Sequence, residues 1–285
     1  MRFFDRGPRI PVLRFQGPIG MATPLRPGLA LATVAGALEK AFRLSSIPAV
    51  AIAVNSPGGS PVQSSLIFKR IRQLAAEQKK KVYVFCEDVA ASGGYYLACA
   101  GDEIYADASS IVGSIGVITQ SFGFVEAIDK LGIERRVYTS GANKGALDMF
   151  KPESPDDVAL LKAIQRDVHD AFIGVVKDRR AGRLKAQDAE LFSGAFWSAR
   201  TALEHGLIDG VADMRAKMRE IYGDKTRLVV VPLARGGLLS RLRRLPSVRV
   251  AGERAAVALS SPGLAFADDL VSAIETRALW SRFGL

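Results

Sequence analysis

The amino-acid sequence predicts an α/β protein. Two runs of strand length stand out: AVAIAV (49–54), a continuous apolar run with the pattern of a strand buried on both faces, and KVYVFC (81–86), which reads as the next strand. Each run is followed by a turn of small residues, NSPGGS and AASGG, and then by a segment of helical character. Strands that alternate with helices build a mainly parallel sheet, and functional loops of such sheets gather at the carboxyl ends of the strands. The two glycine-rich turns are therefore expected side by side on one edge of the sheet.

The elements follow in order. IPVLRF (10–15) reads as a strand, followed by a loop with three prolines and a helix from about Leu29 to Leu44. After AVAIAV and its turn, Leu66, Ile67, Arg70, Ile71 and Leu74 have the spacing of a helix face. KVYVFC is the next strand, and the segment beginning at Ser92 the next helix. EIYAD and SIGVI are expected as short strands, FVEAIDKLG as a helix and ERRVYT as a further strand. A long amphipathic helix is expected from Asp156 to about Arg180.

The composition is that of a globular protein: 285 residues, 48% hydrophobic and 24% charged, enough for one large domain or two small ones. The formal net charge of +10 is unevenly placed. From Arg227 onward there are nine arginines, no lysine and four acids, so half of the excess lies in that tail. Its stretch LLSRLRRL (238–245) suits an anionic surface, and without interleaved aromatic residues it does not read as a nucleic-acid-binding segment. Cys86 and Cys99 lie in apolar surroundings and read as buried thiols of a reducing compartment. With no CxxC or Cys/His cluster, no metal site is expected. The N-terminal segment lacks the apolar core of a secretory signal, and GLALATVAGAL is too short to span a bilayer. The chain thus reads as cytoplasmic, with peripheral contact to an anionic membrane through the basic tail.

Ser92 has two readings. As a helix cap it needs no further explanation, because serine caps helices and the glycines permit the turn. As a nucleophile it would use Gly93, whose bare N–H suits an oxyanion. A nucleophilic serine needs a base. His169 lies inside the long helix and His205 near a helix end, and Ala90 replaces the first glycine of a G-x-S-x-G elbow. Lysine is an alternative base when burial lowers its ordinary pKa of about 10.4. Lys144, between Asn143 and Gly145, lies in a segment poor in acids; from spacing alone it is an ordinary loop lysine.

The motifs NSPGG, AASGGYYLA, IVGSIGV and SGANKGALDMF, followed by LFSGAFWSARTALEHGLIDGV, resemble in this order the signal peptide peptidase family of SppA/SohB-type serine peptidases, most nearly its SohB branch. The resemblance covers about residues 10 to 215. It implies a ClpP/crotonase-like fold with a repeated β-β-α core, helices packed around it and a basic C-terminal extension, divided as a peptidase domain (1–226) and an Arg-rich extension (227–285). It also implies Ser92 as nucleophile, Lys144 as general base and Ser114 as a hydrogen-bond partner of the lysine amine. The oxyanion hole would combine the Gly93 N–H with that of Gly58, Gly59 being its rival. The family acts on peptides or proteins without metal or cofactor and assembles as ring-like homo-oligomers. Many members carry an N-terminal membrane segment, and none is seen here. The alternatives are a crotonase-like acyl-CoA enzyme, whose chemistry needs neither Ser92 nor Lys144, and a catalytically silent peptide-binding or membrane-associated scaffold.

Overall fold

A computed structural model describes residues 7–21, 28–233 and 262–285. The basic stretch 238–245 lies outside them. At the centre is a mixed sheet of order β6-β5-β3-β2-β1-β8, with β4 and β7 attached beside β3. Its strands are β1 (Arg9–Gln16), β2 (Ala49–Ser56), β3 (Lys81–Ala91), β4 (Glu103–Ala106), β5 (Ile111–Gly113), β6 (Phe196–Ser198), β7 (Gly210–Val211) and β8 (Arg227–Val230). Every pairing is parallel except β5 with β6. The helices are α1 (Leu31–Arg43), α2 (Pro61–Glu77), α3 (Gly93–Ala98), α4 (Val125–Lys130), α5 (Pro155–Arg179), α6 (Asp188–Leu191), α7 (Ala199–Glu204), α8 (Met214–Tyr222) and α9 (Pro262–Ser281). The α/β class expected from the sequence is the class observed.

The strand period of two divides the core. Val50, Ile52 and Val54 of β2 face one side with Val82 and Val84 of β3, where α1, α2 and α3 cover them. Ala49, Ala51, Tyr83 and Phe85 face the other, against Met218 of α8. Helix α1 contributes Val34, Ala37, Leu38, Ala41 and Phe42, the i, i+3, i+4, i+7, i+8 stripe that meets a sheet.

Strand β3 serves two neighbours in turn. Tyr83–Cys86 pair with β4, and Val89–Ala91 pair with β5. Between these halves the register against β2 slips: Val54 faces Cys86, but Ser56 faces Ala90. The extra residues are held by the buried Asn55, whose amide donates to Asp88 at 2.6 Å and whose carbonyl oxygen accepts from the Val89 N–H at 3.3 Å.

Two expected strands differ from the sequence reading. The strand near SIGVI is Ile111–Gly113 instead, because Gly113 and Ser114 both take positive φ and turn the chain out of the sheet. ERRVYT forms no strand, having no neighbouring strand to pair with. The folded unit also continues past residue 226, since Arg9–Val12 pair with Arg227–Val230.

The end of α5 is clamped by consecutive arginines. Arg179 donates to the Cys99 and Gly101 carbonyls and to Asp102, all at 3.0–3.1 Å. Burial by itself raises the Asp102 pKa, but the Val82 N–H and the Arg72 and Arg179 guanidiniums outweigh it and hold the carboxyl below its ordinary value. Arg180, 1% exposed, donates to the Gly206 carbonyl and pairs with both oxygens of Asp209 at 2.8 and 3.1 Å. Removing Arg180 would take both guanidinium donors from the Gly206 carbonyl and leave Asp209 ion-paired with Arg183 alone among the described residues, at 3.0 Å. Arg180→Ala is expected to destabilise the protein by about 3 kcal/mol, read as a lower midpoint in urea unfolding. A midpoint within error of wild type would show that the clamp contributes nothing to stability.

Candidate active site

Three strand ends converge at the carboxyl edge of the sheet. Strand β2 runs into Pro57-Gly58-Gly59, β3 into Ser92 and β5 into Ser114. Ala91 and Gly113 are register partners on parallel strands, so Ser92 and Ser114 leave the sheet as neighbours. The Ser92 N–H donates to the Gly113 carbonyl at 2.8 Å, and the Ser114 N–H to Ala195 at 2.7 Å.

Ser92 is not an ordinary cap. Its backbone stands at φ +52° and ψ −122°, and its side chain makes no capping hydrogen bond to α3. A non-glycine residue held there carries strain of about 1–3 kcal/mol, which persists only where surrounding contacts enforce it. The Ser92 carbonyl accepts from Tyr96 N–H at 2.9 Å, and α3 behind it is wholly buried.

The glycines permit close approach. A Cβ on Gly94 would lie 2.4 Å from the Ser56 carbonyl oxygen, and one on Gly58 would lie 2.8 Å from Ser92 Cβ and 3.0 Å from Gly93 N. The SPGG turn therefore packs directly on the start of α3. The Gly93 N–H, at the first position of the helix, has no intrahelical partner. Of the turn amides, Gly58 donates to Ser56 Oγ at 3.2 Å, whereas Gly59 donates to no described residue. Gly58 thus has the better packing and Gly59 the freer donor.

Beside Ser92 is a narrow cavity of about 30 Å³ walled by Tyr96, Val117, Val168 and Phe172. Tyr96 and Phe172 pack ring on ring at 5.0 Å. Val168 and Phe172 lie one helical turn apart on α5. That periodicity was available in the sequence, but nothing there marked this face as the wall of a site.

Lys144 is placed differently. It is exposed, in a turn where its N–H donates to Gly141 at 3.2 Å, and it does not line the Ser92 cavity. Its segment is held together locally by the Arg135–Asp148 ion pair and by the Phe124 N–H on the Met149 carbonyl at 2.7 Å. A larger cavity of about 690 Å³ lies within this segment, but Ser92 and Gly93 do not line it. Neither histidine bonds to Ser92: His169 Nε2 meets the Ile115 carbonyl at 3.1 Å, and His205 lies against Trp197 and Glu190. Burial pushes the thiols of Cys86 and Cys99 up to about 12, so both remain neutral, unreactive sulfurs. Among the described residues no cluster of His, Cys, Asp or Glu is arranged to hold a metal ion, and no helix is long and apolar enough to cross a membrane.

Residues 75–225 match the sequence model of peptidase family S49. A putative signal peptide peptidase SppA of Enterococcus faecium is 33% identical over 177 residues, 61% of this chain and 50% of that protein. Protease 4 of Haemophilus influenzae is 34% identical over 184 residues, 63% of this chain and 29% of that protein. A Brucella abortus protein named Na(+)/H(+) antiporter NhaA is 53% identical over 277 residues, 97% of this chain. The chain spans only 37% of that protein's length.

The close packing of α3 on β2 generates a direct test. Gly94→Ala places a methyl group against a backbone oxygen that cannot move away without disturbing β2. Overpacking of this kind costs about 1–3 kcal/mol, and thermal unfolding is expected to show it as a lowered Tm. An unchanged Tm would mean that the contact between α3 and the turn is looser than described.

Proposed function

Since the chain belongs to peptidase family S49, we propose that it is a serine endopeptidase acting through Ser92 on apolar peptides. The observation that carries this reading is the enforced backbone of Ser92, which holds a serine that caps nothing beside the unpartnered Gly93 N–H and the SPGG turn. In the proposed reaction Ser92 Oγ attacks the peptide carbonyl and forms an acyl-enzyme. The oxyanion is held by Gly93 N–H and one N–H from Gly58 or Gly59, each such donor being worth about 2.7–4 kcal/mol in the transition state. A base takes the serine proton, passes it to the leaving amine and then activates water for deacylation.

The base in this reading is Lys144, with Ser114 orienting its amine. Lysine acts as a base where burial keeps it neutral, and Lys144 is exposed in the single chain. It sits on a segment that also exposes Phe122 (78%), Leu131 (72%) and Tyr138 (91%). Apolar surface of this extent is characteristic of an interface. The reading therefore has copies of the chain associate through this segment, one supplying Lys144 to the Ser92 of another. The narrow apolar cavity would take a small apolar side chain next to the scissile bond. No step requires coenzyme A, and the serine and lysine that acyl-CoA chemistry would leave unused are both given roles.

Three outcomes are expected. A serine-directed phosphonate labels Ser92, mapped by mass spectrometry. Ser92→Ala and Lys144→Arg each lower kcat on a peptide ester by about a thousandfold or more, as when one member of a catalytic unit is removed; the arginine variant keeps the charge but cannot deprotonate. Mixing the inactive Ser92→Ala and Lys144→Ala chains restores activity that neither has alone. Normal turnover by Ser92→Ala would overturn the peptidase assignment, and normal turnover by Lys144→Arg would overturn the dyad. Separately, Val168→Ala widens the cavity, so a peptide library should shift from small towards larger apolar side chains. An unchanged profile would place side-chain recognition elsewhere.

A further inference from the structure

We propose that a trough beside the Ser92 cavity, bordered by Lys162, Arg166 and His169 of α5, binds a carboxylate of the substrate. This rests on the reading of Ser92 as a peptidase nucleophile and adds to it a substrate class: peptides carrying an acidic group close to a small apolar residue.

The trough has a volume of about 230 Å³ and shares Val117 with the Ser92 cavity, so the two sites meet at one side chain. A peptide with a side chain in the apolar cavity passes directly over that boundary. Positions 162, 165, 166 and 169 fall on one face of a helix. Two of them are already engaged. The Gln165 amide donates to Thr119 Oγ1 at 3.0 Å, and His169 Nε2, which must carry the proton when facing a carbonyl, donates to Ile115 at 3.1 Å. These contacts brace the chain that follows Ser114 and fix one wall of the trough.

Lys162 and Arg166 are left over. Neither forms an ion pair or hydrogen bond with any described residue, although Asp167 and Asp170 lie nearby on the same helix. Asp167 and Asp170 do not border the trough, so two cations line it with no anion to balance them. Guanidinium and ammonium groups converging on one space fit a carboxylate, which accepts charge-assisted hydrogen bonds from both. The apolar neighbour fixes a small side chain, and the cationic trough adds a second requirement of opposite chemistry. A carboxylate reaches the trough either as an Asp or Glu side chain or as the free C-terminus of a short peptide.

The test measures binding rather than turnover. Full-length Ser92→Ala protein is titrated with labelled peptides that contain a small apolar residue and differ in pairs: Glu against Gln beside it, and free C-terminal acid against amide. The carboxylate member of at least one pair should bind about fivefold more tightly, the effect of a partly exposed charge contact. Added salt should narrow the gap, and Lys162→Ala/Arg166→Ala should abolish it. A gap in the first pair identifies the side chain as the source, and one in the second identifies the C-terminus. Equal binding within both pairs, no binding at all, or a gap that survives in the double variant overturns the proposal. Failure of the peptidase reading shows separately, as wild-type protein that leaves intact the peptides its Ser92→Ala form binds with the expected preference.

Discussion

The backbone of Ser92 is the constraint on which the site depends. An L-residue adopts φ +52° only under compulsion, and here the compulsion comes from three directions. The Ser92 N–H donates to the Gly113 carbonyl, its carbonyl accepts from the Tyr96 N–H, and the SPGG turn lies so close that a side chain on Gly58 would meet its Cβ. Relaxation of the serine to an ordinary cap would turn its hydroxyl towards its own helix. The strain is the physical difference between a serine that caps its helix and one whose hydroxyl makes no capping bond.

That compulsion requires β2, β3 and β5 to end together, and the slip in β3 arranges this. Without the residues added between Cys86 and Ala90, β3 would remain in its early register against β2. The insertion lets β3 leave β4 and meet β5, placing Ser92 beside Ser114. Asn55 secures it with bonds to Asp88 and Val89. A residue that reads in NSPGG as part of a turn is thus a stitch between strands. The paired arginines ending α5 act at a distance on the same site, because the helix they anchor carries Val168 and Phe172.

Much of this was legible in the sequence, for identifiable reasons. The buried strands were visible because AVAIAV and KVYVFC cannot be solvent-facing, and the α1 stripe because its period is unambiguous. That the turns holding Gly58 and Ser92 lie side by side follows from the rule that loops gather at strand ends; that Ser114 joins them does not, since SIGVI was expected to begin a strand there. Two things were less legible. ERRVYT ends in the β-favouring residues Val137, Tyr138 and Thr139, but propensity describes one segment and a strand needs a partner. SIGVI is apolar, but positive φ at Gly113 and Ser114 ends the strand before it begins. The exposure of Lys144 agrees with the plain reading of its spacing as a loop lysine; that its loop would not line the Ser92 cavity could not be read, since a loop's path depends on what it packs against.

The pairing of β1 with β8 joins residues 9–12 to residues 227–230 across almost all of the described fold. A ribosome releases β1 first and β8 last, so β1 waits with one edge unpaired while more than two hundred residues are made. Contacts of such sequence separation demand a large loop-closure entropy before any of their energy is recovered. The sheet consequently has a high contact order, and its β1 edge cannot close until β8 has been made. An exposed apolar strand edge is also a template for mispairing. The interval between the emergence of β1 and that of β8 is when this chain is most vulnerable to aggregation, and when a chaperone has most to protect.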